Sequence, residues 1–255
     1  MKTKLNQKQN KQFWENRAGQ SSGHEVSWWD INMKKIETET IAGLLTKNDH
    51  VLDVGCSNGV ATAELQARTK GSFVGIDYSE TAIEQARKIQ NSKLEFRCQD
   101  VLTLSERNVY DKAITIRCLI NLMNDSDQMK ALKKIQEALK PNGLLIMCEA
   151  FSGAFHNLNR VRSCVGLDPL AIPPYNNYLD EEKITSDLRG LFEIERIIKH
   201  SSLYYIGTRV FQYLSLDKDP KESDSALHRF FSKFNFETKR SGDFGPNKVY
   251  VCRKL

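Results

Sequence analysis

Long apolar runs are absent from this 255-residue chain: no stretch approaches the roughly 18 apolar residues of a membrane-spanning helix. No membrane partner is expected. The amino-terminal MKTKLNQKQNKQ has no apolar signal core, and its polar, lysine-spaced composition is that of a mobile tail. Among the six cysteines no pair has metal-ligand spacing, and no disulfide framework emerges. Cys98 and Cys148 fall in expected buried strands, Cys118 at a strand end and Cys252 near the last strand. Free core thiols fit a reducing compartment, so a cytoplasmic protein without a metal site is expected. The formal charge of +5 is small, and basic residues are interleaved with acids. No basic stripe is left for a nucleic-acid partner. Repeats and low-complexity segments are lacking too. What remains, 40% hydrophobic and 27% charged residues, is the balance of a globular domain able to bury a substantial core.

The run Val51-Leu52-Asp53-Val54-Gly55-Cys56-Ser57-Asn58-Gly59 reads as a buried strand, broken by small residues that turn into a helix beginning near Val60. Phe73-Val74-Gly75-Ile76-Asp77 reads as the next parallel strand, ending in an acid 22 positions after Gly55. Together they make a nucleoside-binding βαβ unit. Its glycines let backbone approach a ligand, and its terminal carboxylate can accept both ribose hydroxyls. The dinucleotide fingerprint G-x-G-x-x-G is incomplete, because Ala61 and Thr62 stand where a third glycine would fall. Asp53, two residues before the turn, would repel a diphosphate and suits a cationic ligand. S-adenosylmethionine (SAM), with its ammonium, sulfonium and adenosine, is such a ligand.

Alternation continues downstream. A helix from Ser79, a plausible N-cap, runs to about Gln90, and Leu94–Val101 is a third strand ending at the acid Asp100. Tyr110–Leu119 is a fourth strand. Asp125 or Ser126 can cap a helix through Leu139, which Pro141-Asn142-Gly143 ends before a fifth strand over Leu144–Glu149. Phe192–Ile198 and Lys248–Arg253 read as the sixth and seventh strands, and a helix lies near Asp180 to Leu188. The expected fold is α/β: a Rossmann-like, doubly wound, mostly parallel sheet in one domain over residues 1–255. Three segments lie outside it: an arm or cap over residues 1–45, and insertions over 151–179 and 201–240. Ligands of open α/β sheets bind at the carboxyl edge that these pieces reach, so they are expected to build a lid and a substrate pocket.

The first four strands, with LKPNGLLIM before the fifth, resemble the class I SAM-dependent methyltransferases over roughly residues 45 to 150. The resemblance implies that Asp53, Gly55 and Gly59, with Cys56 in the same turn, lie under the methionine part of SAM. It implies that Asp77 binds the ribose, that Tyr78 packs on adenine, and that Asp100 faces the adenine amino group beside the Val101 backbone donor. The Arg117 main-chain carbonyl would meet the ammonium, and the seventh strand would pair antiparallel. Ser57 departs from the glycine of many members. Trp14 or Trp28 could close over the cofactor and exclude water, with Trp28 on the substrate side. The alternative is that the tryptophans anchor a helical arm.

Methyl transfer requires alignment of the acceptor and, for a hydroxyl, removal of a proton. Glu149 at the tip of the fifth strand and His156 seven residues later are candidate bases. Substrate candidates are Asn159 and Arg162 on one helix face, Asn177 and Tyr178 in PPYNNYLD, and Tyr204 beside Tyr205. Arg162 could clamp a phosphate or carboxylate. The same polar groups could instead satisfy loop backbone. Pro173-Pro174-Tyr175 lacks the leading amide or acid of the adenine-amino methyltransferase motif and lies far from the fourth strand, so base methylation is disfavoured. FWENRA, RCLINL and LNRVR…YNNYLDE look like a bacterial group of SAM methyltransferases encoded with surface-polysaccharide or sugar-nucleotide pathways. The expected reaction is methyl transfer to a hydroxyl or amino group of a small polar acceptor, a sugar or glycan precursor, with a homodimer as a possible assembly. Alternatives are a secondary metabolite or quinone-like acceptor, an RNA-modifying or RNA-binding protein, and an inactive SAM-binding partner subunit.

Overall fold

A computed structural model describes residues 3–21, 23–26, 29–216, 226–237 and 242–255. Its centre is a seven-stranded sheet in the order β3-β2-β1-β4-β5-β7-β6. The strands are β1 (His50–Val54), β2 (Ser72–Asp77), β3 (Leu94–Cys98), β4 (Tyr110–Ile116), β5 (Leu139–Ala150), β6 (Phe192–Ile198) and β7 (Asn247–Lys254). The first five pair in parallel, and β7 is antiparallel to both β5 and β6. From β1 the chain winds outward to β2 and β3, then crosses back to β4 and winds the other way. The switch point therefore lies between β1 and β4, where a crevice opens beyond the carboxyl ends of the strands.

Strand alternation explains the two cores. Leu52, Val54, Val74 and Ile76 face one side and pack with Leu132 and Ile135 of α5 (Asp125–Ala138) and Ile184 of α7 (Glu181–Leu188). Val51, Phe73, Ile114 and Ile146 face the other and meet Ile41 of α2 (Ile31–Ala42), Leu65 of α3 (Val60–Thr69) and Ile83 of α4 (Glu80–Arg87). Asp53 shares the Val51 face, so its buried carboxylate accepts a 2.6 Å bond from the Thr62 hydroxyl of α3. Several details differ from expectation: β3 and β4 stop at Cys98 and Ile116 rather than at Val101 and Leu119, and β5 begins at Leu139 rather than Leu144. Asn124, not Asp125 or Ser126, caps α5, because its side chain accepts from the Asp127 N–H at 2.8 Å. Cys98 is exposed rather than buried, since β3 is an edge strand; Cys148 and Cys252 are buried.

The larger correction concerns the amino terminus, which is a helix from its seventh residue rather than a mobile tail. Asn6 and Gln9 form a reciprocal capping box at the start of α1 (Gln7–Gln20). The polar residues that suggested solvent bind the rim of the crevice instead. Gln7 accepts from the Met123 N–H at 2.8 Å, Asn10 donates to the Asn121 carbonyl at 2.7 Å, and Lys11 pairs with Asp100. Glu15 accepts from the Thr81 N–H at 3.1 Å, so α1 bridges from the β4 side of the crevice to α4. A helix without an apolar face is stable here because its side chains are satisfied by the domain.

The insertions form a third cluster. Met33 and Ile36 of α2 pack with Leu158 of α6 (Ser152–Cys164) and with Tyr204 and Tyr205 of α8 (Ser202–Ile206). A π-helical turn (Gly207–Phe211) and α9 (Gln212–Leu216) follow, and α10 (Ala226–Glu237) packs back on α8 and α2. No helix among the described residues is long and apolar enough to cross a membrane.

Gly59, which begins α3, sits at φ +76°, and a Cβ there would lie 2.5 Å from the Phe96 ring. Gly59→Ala should therefore lower unfolding stability by about 2–4 kcal/mol, combining left-handed strain with overpacking. Denaturant melts that leave the midpoint unchanged would contradict this reading of the turn.

Candidate active site

The turn after β1 is held against β2. The N–H groups of Gly55 and Cys56 both donate to the Ile76 carbonyl, at 2.8 and 3.0 Å. Gly55 is at φ +78°, and a Cβ would approach the Cys118 sulfur to 2.6 Å, so only glycine lets the turn and the β4 loop meet. One residue further, the Ser57 N–H donates to Asp77 Oδ2 at 2.9 Å, while Asp77 Oδ1 accepts from the Ser79 N–H at 2.9 Å. A single carboxylate thus ties the glycine turn to the start of α4. Burial pushes the Asp77 pKa up, and the two N–H donors pull it back.

These groups open onto a crevice of about 1370 Å³, the solvent at its mouth included. Its β2–β3 end is lined by Asp77, Tyr78, Asp100 and Val101, and one stripe of α1 (Gln7, Lys11, Trp14, Ala18) covers it. Gly55, Arg117 and Cys118 lie at its middle. Its β5–β7 end is lined by Trp29, Tyr178, Tyr205 and Asn247. A smaller annexe of about 540 Å³ continues behind Gly55, between Asp53, Cys56, Lys34, Glu37 and Arg117. Burial raises the Asp53 pKa to about 7 and lowers that of Lys34 to about 7, so the annexe holds both a carboxyl and an amine that change charge near neutrality. Behind the crevice runs a buried polar chain. The Tyr205 hydroxyl donates to Asn247 at 3.2 Å, Asn247 donates to Glu37 at 2.5 Å, and Glu37 pairs with Arg117. Glu37, Cys148 and His200 bring three ligating atoms within 4.8 Å of one another, but Glu37 is already committed to Arg117 and Asn247.

Of the residues singled out in the sequence, Trp14, Gly55, Asp77, Tyr78, Asp100, Val101, Arg117 and Tyr178 line the crevice, and Asp53 and Cys56 line the annexe. Gly59 shapes the turn without lining either. Asp100 receives Lys11 as well as the Leu102 N–H, and the Arg117 carbonyl accepts the Asn121 amide at 2.8 Å. Trp28 lies outside the described residues.

The remaining expectations are not met by the geometry. Glu149 does not project into the crevice. It is fully buried, and its oxygens accept the N–H groups of Cys118 and Leu119 at 3.0 Å and of Ile120 at 3.3 Å. It folds the loop after β4. Burial raises its pKa to about 7 against the pull of those donors. His156 is exposed on α6 and absent from the crevice lining. Asn159 exchanges two hydrogen bonds with Leu170, and Arg162 donates to the carbonyls of Asp168 and Arg209, so both brace the insertions rather than clamp a ligand. Asn177 is occupied by the Lys4 ammonium at 2.7 Å and the Leu122 carbonyl, and it is Asn176 that lines the crevice. Tyr204 is buried with its hydroxyl on Asp30 at 2.6 Å, while its neighbour Tyr205 reaches the crevice. Lys11, Arg17 and Asn247, not singled out in the sequence, also line the crevice, and so does Tyr175 of the PPYNNYLD segment. Lys11 was recoverable, because Gln7, Lys11, Trp14 and Ala18 recur at helical spacing; Asn247 carried no local signal.

Residues 45–168 match the family described as a methyltransferase domain. The chain is 24% identical over 165 residues to a carboxy-S-adenosyl-L-methionine synthase of Shewanella pealeana, covering 62% of this chain and 67% of the relative. It is 27% identical over 143 residues to the O-methyltransferase cnsE of Penicillium expansum, covering 50% and 51% respectively. The chain thus spans about half to two thirds of the length of these relatives. In fold it is similar to phosphoethanolamine N-methyltransferase 1 of Haemonchus contortus, solved with phosphoethanolamine and S-adenosylhomocysteine. That match has a TM-score of 0.65 at 14% identity, over 98% of this chain and 49% of that one.

Two measurements check the electrostatics. Glu149→Gln turns an amide NH₂ toward backbone donors and should cost about 1–3 kcal/mol of stability; a base without structural work would leave unfolding unchanged. The folded-state pKa of Asp53 lies above its unfolded value, so its contribution is full below about pH 4 and is lost as pH rises through about 7. Asp53→Asn should therefore gain stability relative to wild type from about pH 4 to about pH 7 and hold a constant difference above it. Lys34 titrates in both proteins and cancels in the comparison; a pH-independent difference would overturn the assignment.

Proposed function

We propose that this chain, whose residues 45–168 form a methyltransferase domain of the class I SAM-dependent family, transfers the sulfonium methyl of SAM to a small polar molecule. The acceptor atom is a hydroxyl or amino group, and the acceptor a sugar or glycan precursor. The observation that carries this reading is the division of one crevice into two chemically different ends. At the β2–β3 end, Asp77 is held by two N–H donors with lone pairs left for vicinal hydroxyls, and Tyr78 offers a ring for adenine. The annexe takes the amino-acid tail, with Asp53 toward its ammonium and Lys34 toward its carboxylate. These assignments put the sulfonium near Gly55 and Cys118, facing the β5–β7 end.

That second end suits a polyol. Trp29, Tyr178 and Tyr205 supply flat faces with polar edges, and the Asn176 amide lies in the same crevice lining. The cations nearby are neutralised by the protein, Arg117 by Glu37 and Arg209 by Asp30. Among the described residues lining that end there is no histidine or carboxylate, so alignment of acceptor and methyl carries the rate rather than a strong general base. The name shared by several relatives raises a second product, a sulfonium that gains a carboxyl group. Such a ligand needs a cation committed to it beside the sulfonium, and Arg117, the cation at the middle of the crevice, is paired with Glu37. Methyl transfer is the better fit.

The test is incubation of the full chain with SAM labelled in its methyl group and a fractionated extract of small polar molecules, with products read by mass spectrometry. A labelled methyl on a low-mass polyol is expected. Label retained on a carboxylated sulfonium, or incorporated in nuclease-sensitive material, would overturn the reading. Asp77→Ala should weaken S-adenosylhomocysteine binding by calorimetry at least 30-fold, in keeping with two lost charge-assisted hydrogen bonds. Unchanged affinity in a folded variant would contradict the ribose assignment.

A further inference from the structure

We propose that Arg209 is a positioning residue for the acceptor end of the crevice, acting through the rings of Trp29 and Tyr205. This rests on the two-ended crevice described above. Arg209 lies in the π-helical turn after α8 and is 6% exposed. Its Nη2 donates to Asp30 Oδ2 at 2.6 Å, and Asp30 is fully buried. The other Asp30 oxygen accepts the Tyr204 hydroxyl at 2.6 Å and the Met33 N–H at 3.0 Å. The carboxylate is therefore held by groups other than the arginine, and it holds the guanidinium in turn. The plate so held lies 5.1 Å from the Trp29 ring centre and 5.3 Å from that of Tyr205, within the range of cation–π attraction for both. Both rings line the crevice, whereas Arg209 does not.

The same residue gathers the segments outside the sheet. Trp29 and Asp30 belong to the arm, Tyr205 and Arg209 to the last insertion, and the Arg209 carbonyl receives the guanidinium of Arg162 from the 151–179 insertion. His228 of α10 is buried beside Arg209, with Nε2 3.5 Å from Nη1. Among the described residues, no hydrogen bond or ion pair of Asp30, Arg162 or Arg209 reaches the turn, Asp77 or Asp100, which build the β2–β3 end. A fault at Arg209 should therefore show at one end of the crevice only. Lysine could keep the charge against Asp30, but a compact ammonium offers no extended plane to hold two rings at once. Arg209→Lys thus separates stacking from ion pairing, which a neutral substitution cannot do because it strands a buried carboxylate.

The experiment uses the full chain as wild type, Arg209→Lys, Trp29→Ala and Arg209→Lys/Trp29→Phe. S-adenosylhomocysteine affinity is read by calorimetry, and the half-saturation for the methyl-accepting fraction is read with labelled SAM. Acrylamide quenching of tryptophan fluorescence needs no acceptor. Arg209→Lys should keep S-adenosylhomocysteine affinity within twofold and raise acceptor half-saturation at least tenfold. Its quenching constant should also rise, an increment that vanishes in the Trp29→Phe background. Trp29 is 42% exposed, so Trp29→Ala should fold and reproduce the acceptor defect. Quenching unchanged in Arg209→Lys overturns the proposal, as does equal loss at both ends of the crevice. If S-adenosylhomocysteine binds but no fraction accepts methyl, the transfer reading fails, and the quenching result still decides the role of Arg209.

Discussion

Everything at the β2–β3 end of the crevice depends on one carboxylate. Asp77 accepts an N–H from the glycine turn and another from the first residues before α4, so the ends of β1 and β2 cannot separate without stranding a buried charge. The close approach of Gly55 to Cys118 extends the constraint to β4, because no side chain fits between them. Glu149 completes it from β5 by accepting three consecutive N–H groups of the loop after β4. Carboxylates at the ends of β2 and β5 thus do unlike work. Asp77 keeps lone pairs toward the crevice, whereas Glu149 spends its oxygens on backbone.

This difference marks how far the sequence could be read. Strand runs such as Phe192–Ile198 and the Ser79 cap are local, because hydrophobic period and capping chemistry act within a few residues. The turn and the acid after β2 were legible for the same reason. Glu149 was not: its position at a strand tip points to the crevice, but its role depends on a loop about 30 residues earlier in the chain. Arg162 and Asn159 misled in the same way. Their side chains look like ligand groups until the chain returns through Asp168, Leu170 and Arg209 to claim them.

The arm shows the opposite error. Composition alone makes residues 4–12 look solvated, yet Lys4, Gln7, Asn10 and Lys11 all find partners on the domain. Polar side chains mean exposure only when nothing opposite them is polar, and a crevice rim of exposed carbonyls and acids reverses that inference. The arm and insertions then share a small core of their own around Met33, Leu158 and Tyr204, with Asp30 and Arg209 buried beside it. The arm and insertions are therefore packed against one another, beside a sheet that supplies the turn and the acids.

The central claim is that the β2–β3 end of this crevice binds the ribose of SAM through Asp77. It is tested most directly by calorimetric titration of the full chain with S-adenosylhomocysteine and with its 2′,3′-dideoxy analogue. The account predicts one site per chain for the parent compound and an analogue at least 30-fold weaker, since both ribose contacts are gone. Equal affinity for the two, or no binding of either, would contradict it.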